Sequence, residues 1–297
     1  MENIKEKLSG VFAPMVTPFE DDRILFDGLR SNVEKMNETG LRGYFVLGTN
    51  GEYKALSEDE RYKVVDTVVR NSSKDKVIMA GTGAESTKLT IELTRRAVDA
   101  GAQMVSLLMP HFFTKKIDED VMVRFITEVA DASPVPVALY NNPSVAAGVN
   151  ITIEVLRRVT SHPNVVGIKD SNKNYYRTTL RAASDDFFVL AGSANYFLDV
   201  LKNGGTGGVL SLANVFPNAC AELYRLFSEG KTEEAEKLNE KLIWLNREVS
   251  GTYSVAGVKC AMDLVGFTGG VPRRPLTGLG ENDRKNLEEK LKESGLF

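Results

Sequence analysis

Asn164-Val165-Val166-Gly167-Ile168-Lys169-Asp170 decides how the rest of the chain is read. Its apolar centre, residues 165–168, has no polar alternation, which is the pattern of a strand buried on both faces of a parallel sheet. Seven more short runs rich in Val, Ile, Leu and Phe share that pattern: residues 11–16, 44–47, 77–79, 104–108, 135–139, 187–190 and 208–211. Helical patterns lie between them. Ser57-Glu58-Asp59-Glu60 has the form of a capping box opening a helix towards Arg70, and residues 87–100, 119–130, 153–160 and 216–228 read as helices too. Gly40, Gly101 and Gly204 each stand directly before a strand run, where a glycine can take the left-handed position that ends a helix. Their spacing fits whole βα units of about 25–30 residues. Eight strands at this rhythm predict a closed α/β (β/α)8 TIM barrel, with an open doubly wound sheet as the alternative.

From about Glu229 the rhythm changes. Residues 231–250, 255–265 and 283–293 read as helices, the first and third strongly charged, and no strand-like run follows Ser211. The expected organisation is a barrel catalytic domain over residues 1–228 and a C-terminal helical appendage over 229–297, packed on the barrel or on a neighbouring subunit.

Composition narrows the function. With 42% hydrophobic and 26% charged residues the chain is ordinary for a soluble globular protein. A net charge of −3 gives no reason to expect a nucleic-acid partner. No apolar run approaches the roughly 20 residues of a membrane span, and the opening residues 1–10 carry no leader-like apolar core. Two scattered cysteines fit a reducing cytoplasm. His111 and His162 are the only histidines, and neither stands in a metal-ligand spacing, so no metal and no cofactor is expected.

Chemistry concentrates at the ends of the runs, where barrels of this kind carry their sites. Lys169 ends the sixth. Partial desolvation there disfavours an ammonium and frees the amine to attack a carbonyl, although a lysine merely leaving the rim for solvent would occupy the same position. Tyr140 ends the fifth run. Neighbouring strands lie about 5 Å apart, so its phenol would reach Lys169 and could shuttle protons. After the second run, Gly48-Thr49-Asn50-Gly51-Glu52 offers backbone N–H groups beside a hydroxyl and an amide, which suits a carboxylate, or is a plain polar turn. The glycine-rich stretches 80–84 and 204–208 suggest phosphate binding, but no P-loop or Rossmann fingerprint supports it.

Taken together, "GTNGE" (48–52), "YNNP" (140–143), "GIKDS" (167–171) and "LAGSA" (190–194) resemble, in order and spacing, the dihydrodipicolinate synthase/N-acetylneuraminate lyase superfamily. The likeness runs from "GVFAPMVTPF" (10–19) to "RRPL" (273–276), nearly the whole chain. It implies a class I, pyruvate-type aldolase that forms a covalent imine, assembled as a homotetramer of tight dimers. On that resemblance Lys169 corresponds to the Schiff-base lysine and Tyr140 to the catalytic tyrosine. Thr49 and Asn50, with Gly48, correspond to the carboxylate-binding loop, and Thr49 also to a proton-relay partner. Ser171, Gly192, Ser193 and Leu210 would line the pyruvyl pocket.

Two departures separate the chain from the synthases of that superfamily. After the tyrosine the stretch 144–148 is Ser-Val-Ala-Ala-Gly, without the arginine that grips an aldehyde substrate's carboxylate. Phe112 stands where members often carry a tyrosine donated across the dimer. Asn50, "HPNVVGIKDS" and "LAGSA…LANV" are closer to 4-hydroxy-2-oxoglutarate aldolase-like enzymes. The resemblance therefore implies a lyase on a small-molecule 2-oxo acid and an aldehyde. Condensation of pyruvate with aspartate semialdehyde is the alternative, and a non-catalytic 2-oxo acid sensor a lesser one.

Overall fold

The computed structural model describes residues 4–183 and 186–296; Met1–Asn3, part of the stretch read for a leader, lie outside them. Eight parallel strands close in chain order: Gly10–Pro14, Gly43–Val46, Val77–Gly81, Met104–Leu108, Val137–Asn141, Val165–Asp170, Phe188–Ala191 and Gly207–Val209. The first pairs with both the second and the eighth, so no edge is left open. Apart from Gly81, every strand residue is buried. That burial explains why the runs show no polar alternation.

All eight expected strands are present, with shifted ends. The fifth begins at Val137 instead of 135, beyond Pro136, which has no N–H to give to a sheet ladder. The eighth ends at Val209, because Ser211–Asn214 winds into a 3-10 turn. The capping box forms as expected: Ser57 Oγ accepts from the Glu60 N–H at 3.2 Å, and the Glu60 carboxylate accepts from the Ser57 N–H at 2.8 Å. Such a cap contributes about 1 kcal/mol. Gly101 and Gly204 adopt the left-handed backbone, with φ of 100° and 93°, but Gly40 does not; it faces the Ala221 methyl instead. Four helices had no clear signal. Phe26–Asn37, Tyr176–Ala182 and Phe197–Lys202 start without a side-chain cap, and Ile4–Leu8 is a five-residue turn.

The tail is helical, as its charge pattern implies. Thr232–Asn246 runs into a π-helical turn at Arg247–Gly251, then Thr252–Leu264, and Glu281–Glu293 follows. Leu242, Leu245, Val249 and Val258 are fully buried in one apolar cluster with Val11, Tyr44 and Leu212 of the barrel. The tail therefore packs on its own barrel. One residue of it also meets a strand: Val271 bridges antiparallel to Phe19, in the small hairpin Phe19–Glu20/Arg23–Ile24, whose two-residue strands are too short to show a pattern in the sequence.

Candidate active site

Strand register places the two central side chains. Tyr140 pairs with Lys169 across the fifth and sixth barrel strands, and their followers Asn141 and Asp170 pair in the same way. Successive side chains alternate in direction, so the first pair faces the barrel mouth while the second turns away. Asp170 accepts from Thr179 Oγ1 at 2.6 Å and the Asn172 N–H at 2.9 Å, and Asn141 Oδ1 accepts from the Ile151 N–H at 3.0 Å. Burial pushes the Asp170 carboxyl above the ordinary carboxylate range, and these donors oppose it only in part. This outward pair fixes the strand ends that carry the inward one.

Lys169 is 5% exposed. Its Nζ lies 4.1 Å from the centre of the Tyr140 ring and 4.9 Å from that of Phe45, and the two rings meet edge to face. The phenol oxygen of Tyr140 lies 3.1 Å from Thr49 Oγ1 and accepts from Asn142 Nδ2 at 2.9 Å. Ser144 Oγ in turn donates to Asn142 Oδ1 at 2.6 Å. Burial alone would push the Tyr140 phenol up. The Lys169 charge beside it, with hydrogen bonds from Thr49, Asn142 and Lys169, outweighs burial and holds the phenol below the ordinary tyrosine range. Nearby Tyr53 and Tyr196 lack that neighbour, and burial drives both upward. A titratable group displaced against the trend of its burial is a mark of functional sites.

The loop after the second strand is bracketed by Leu47 (φ 60°) and Glu52 (φ 52°), two residues with left-handed backbones. Gly51 N–H donates to Gly48 O at 3.1 Å and Glu52 N–H to Thr49 O at 3.0 Å. Among the described residues no protein acceptor takes the N–H of Thr49 or Asn50. Asn50 Nδ2 donates to Ser211 Oγ at 2.9 Å.

These groups open on a cavity of about 220 Å³, lined by Pro14, Thr49, Asn50, Tyr140, Asn142, Ser144, Lys169, Ser171, Gly192, Ser211, Ser250, Ser254 and Val255. Lys169 is the one charged side chain in that lining. Gly192 is required by contact, because a Cβ there would sit 2.7 Å from Ser171 Cα and 2.8 Å from the Asp170 carbonyl oxygen.

Six of the nine residues expected at the site thus share one cavity, and three fall outside its lining. Gly48 makes room for the Phe45 ring, which a Cβ would meet at 2.7 Å. Ser193 Oγ is occupied by the Asn195 N–H and by Asn246 Nδ2. Leu210 is fully buried in the core, and Ser211 lines the mouth in its place. The alternation of side chains along the eighth run carried that signal. Nothing local pointed to Ser250 and Ser254 of the tail, where Ser254 has a backbone rare for a serine (φ 53°, ψ −143°). Conformations of this kind collect at functional sites. Phe112 lies outside the lining, 76% exposed, with its N–H and that of His111 both donating to Glu85 Oε2 at 2.9 Å. Among the described residues no group of three or more His, Cys, Asp or Glu is placed to hold a metal.

A closed parallel barrel with a buried lysine and a hydrogen-bonded tyrosine at adjacent strand ends defines an enzyme of the aldolase type. The chain belongs to the dihydrodipicolinate synthetase family, whose model matches residues 7–294. It is 35% identical over 286 residues to the 4-hydroxy-tetrahydrodipicolinate synthase of Methanothrix thermoacetophila, with 95% of each chain covered. It is also 35% identical over 303 residues to an uncharacterized DapA-like lyase of Pyrobaculum arsenaticum, covering 98% of this chain and 100% of that one. Among solved structures it is similar to YagE, a prophage protein of the dihydrodipicolinic acid synthase family from E. coli K12 in complex with pyruvate. That match has a TM-score of 0.91 at 25% identity and covers 97% of this chain and 99% of the other. The chain is a lyase of this family, of the pyruvate-aldolase type, on a (β/α)8 barrel.

Proposed function

We propose that the protein makes or breaks the C3–C4 bond of a hydroxylated 2-oxo acid through an imine on Lys169, without a metal or other cofactor. The observation that carries this reading is a buried lysine walled by aromatic rings, beside a phenol, with no carboxylate partner among the described residues. The amine adds to the C2 ketone, and the carbinolamine loses water to give the protonated imine. That cation accepts the electron pair of the C3–C4 bond. Tyr140, relayed by Thr49, takes the proton of the C4 hydroxyl as C4 becomes the aldehyde carbonyl. The enamine left behind is protonated at C3, and water releases the 2-oxo acid. The free N–H groups of Thr49 and Asn50 hold the substrate carboxylate, with Ser171 and Gly192 on the opposite side. Rate comes from orienting the reacting groups and from proton transfer by a placed phenol.

The substrate's far end would meet the hydroxyls of Ser144, Ser250 and Ser254, and Lys54, Arg273 and Arg274 of the adjoining cavity are already paired with Glu85, Glu60 and Asp22. This favours a neutral hydroxylated aldehyde over aspartate semialdehyde. The second reading, synthesis of 4-hydroxy-tetrahydrodipicolinate, is favoured by the name of the Methanothrix relative. The exposed pair Phe112–Phe113 supports association of copies, which we read as a homotetramer, and the two free cysteines, Cys220 and Cys260, fit a reducing cytoplasm.

Borohydride reduction with pyruvate in excess EDTA tests the mechanism. One pyruvyl group should add, on the peptide that carries Lys169. Label on another lysine, incorporation by Lys169→Ala, or dependence on added metal overturns the reading.

A further inference from the structure

Glu52 closes the loop that presents Thr49 and Asn50, in a left-handed backbone (φ 52°, ψ 36°) that is uncommon for a residue with a side chain. Its buried carboxylate is held from far along the chain. Lys259 Nζ lies 2.5 Å from Oε1, and the Arg273 backbone N–H donates to Oε2 at 2.9 Å. Lys259 is itself fully buried in the tail helix Thr252–Leu264, donates to Val271 O at 2.8 Å and packs over the Phe19 ring. The same helix brings Ser254 and Val255 to the cavity.

Taking two charges out of water is costly, and an apolar pair of the same volume would often hold a fold at least as well. The barrel does not need ions here, since its strands are fully paired and the tail shares its apolar cluster. What the pair adds is a fixed place: the Lys259 charge holds Oε1 while the Arg273 N–H bonds Oε2. The carboxylate has to meet the ammonium and the Arg273 N–H together, and that requirement selects the unusual backbone of Glu52. Through the turn bond from the Glu52 N–H to Thr49 O, it also sets where the Thr49 and Asn50 N–H groups point.

We propose that Lys259 and Glu52 are positioning residues for substrate binding: their ion pair registers the carboxylate-holding loop against the tail helix that forms the facing wall of the cavity. The proposal rests on the reading that Thr49 and Asn50 hold the 2-oxo acid's carboxylate. It assigns a function to a buried lysine that takes no part in the bond chemistry.

The test uses the double variant Glu52→Gln/Lys259→Met, which removes both charges and leaves no buried ion unpaired. Pyruvate affinity is measured by calorimetry, and kcat at saturating substrate and the melting temperature are read in parallel. The variant should melt close to wild type, bind pyruvate roughly tenfold more weakly, and keep kcat within about threefold. A stable variant with unchanged affinity, or one that loses kcat and affinity alike, overturns the proposal. If the double variant does not fold, Glu52→Gln alone must show the weakened affinity, and an unchanged value overturns the proposal equally. Wild-type affinity for pyruvamide against pyruvate reports on the carboxylate-holding reading independently of the variant: a wild type that does not distinguish the two fails that reading, so the two failures are told apart.

Discussion

Lys169 and Lys259 are both buried lysines, and their surroundings are opposite. Lys259 meets a carboxylate at 2.5 Å and a carbonyl at 2.8 Å. Lys169 meets two aromatic rings and a phenol, and among the described residues no carboxylate. Lys76, the third buried lysine, follows Lys259, with Asp75 at 3.0 Å and the carbonyls of Thr39 and Leu41. Removing a buried lysine that is paired with a carboxylate strands the partner. An amine with no carboxylate beside it can be consumed in a bond to a carbonyl carbon without stranding an anion. The difference teaches that burial alone does not identify a reactive lysine; the chemistry of its nearest neighbours does.

The sharpest way to break the contrast is to replace each lysine by methionine. Lys169→Met should lower kcat/KM by on the order of 10⁴-fold or more, with a melting temperature at or slightly above wild type. Lys259→Met should do the reverse to stability. It leaves Glu52 buried and unpaired, at a cost of about 3–5 kcal/mol, or roughly 5–15 °C in melting temperature. Steady-state kinetics and thermal melts of both variants decide the matter. If Lys169→Met melts far below wild type, its amine has a structural partner and the contrast is wrong.

Tyr140→Phe probes the neutral side of the comparison. The ring that walls Lys169 is kept, and the hydroxyl bonded to Thr49 and Asn142 is lost. The expected loss is about 10²–10⁴-fold in kcat, while borohydride still traps pyruvate, since imine formation needs the amine above all. Loss of trapping together with turnover would mean that the phenol holds Lys169 in place and does not move protons.

The same contrast explains what could be read in the sequence. Lys169 and Tyr140 were legible because each ends a short apolar run, and a strand end in a barrel has a fixed destination. Thr49 and Asn50 were legible because two glycines bracket them. The pairing of Glu52 with Lys259 was not, since nothing local tells a lysine on a tail helix which distant loop it will meet. Ser250 and Ser254 were hidden for the same reason, as they line the mouth where the tail helix passes through a π-helical stretch at Arg247–Gly251 and kinks at Ser254. Leu210 was misplaced by a single residue, because the chain leaves the strand at Val209 and turns Ser211 to the mouth. Local periodicity thus located the reacting groups, whereas the long-range ion pair and the tail wall needed the folded chain.

A smaller effect is expected at the mouth. Val145 is 37% exposed and lines a second cavity of about 340 Å³ that shares Thr49, Asn50, Ser254 and Val255 with the first. Val145→Arg would bring a guanidinium towards a distal carboxylate, a charge-assisted contact of about 1.5–3 kcal/mol. The kcat/KM for aspartate semialdehyde should rise roughly tenfold relative to cleavage of a neutral hydroxylated 2-oxo acid. If the unmodified protein already favours the semialdehyde strongly, the preference for the lyase reading is wrong, and the Lys169 chemistry is unaffected.

The smallest effect tests how far the charged side of the comparison extends. Arg273, whose backbone N–H holds Glu52, also clamps Glu60 through Nη1 and Nη2, at 2.8 and 2.6 Å. That clamp, chiefly the Arg273 hydrogen bonds, holds the Glu60 carboxyl down to about 2. A carboxyl depressed in the folded state adds stability above its unfolded value, near 4.5, and loses it as the pH falls towards 2. Glu60→Gln should therefore melt below wild type at pH 6, and the gap should close between pH 4.5 and about 2. The side chains are partly exposed and Arg273 keeps the Ala55 and Asp22 carbonyls, so a gap of only roughly 2–4 °C is expected. Pyruvate affinity should not move, because the Arg273 N–H that orients Glu52 belongs to the backbone. Melts across that pH window settle the first point and calorimetry the second. A gap that persists at pH 2 would show that Glu60 stabilises by packing, and a fall in affinity would show that the positioning network reaches the capping box as well as the loop.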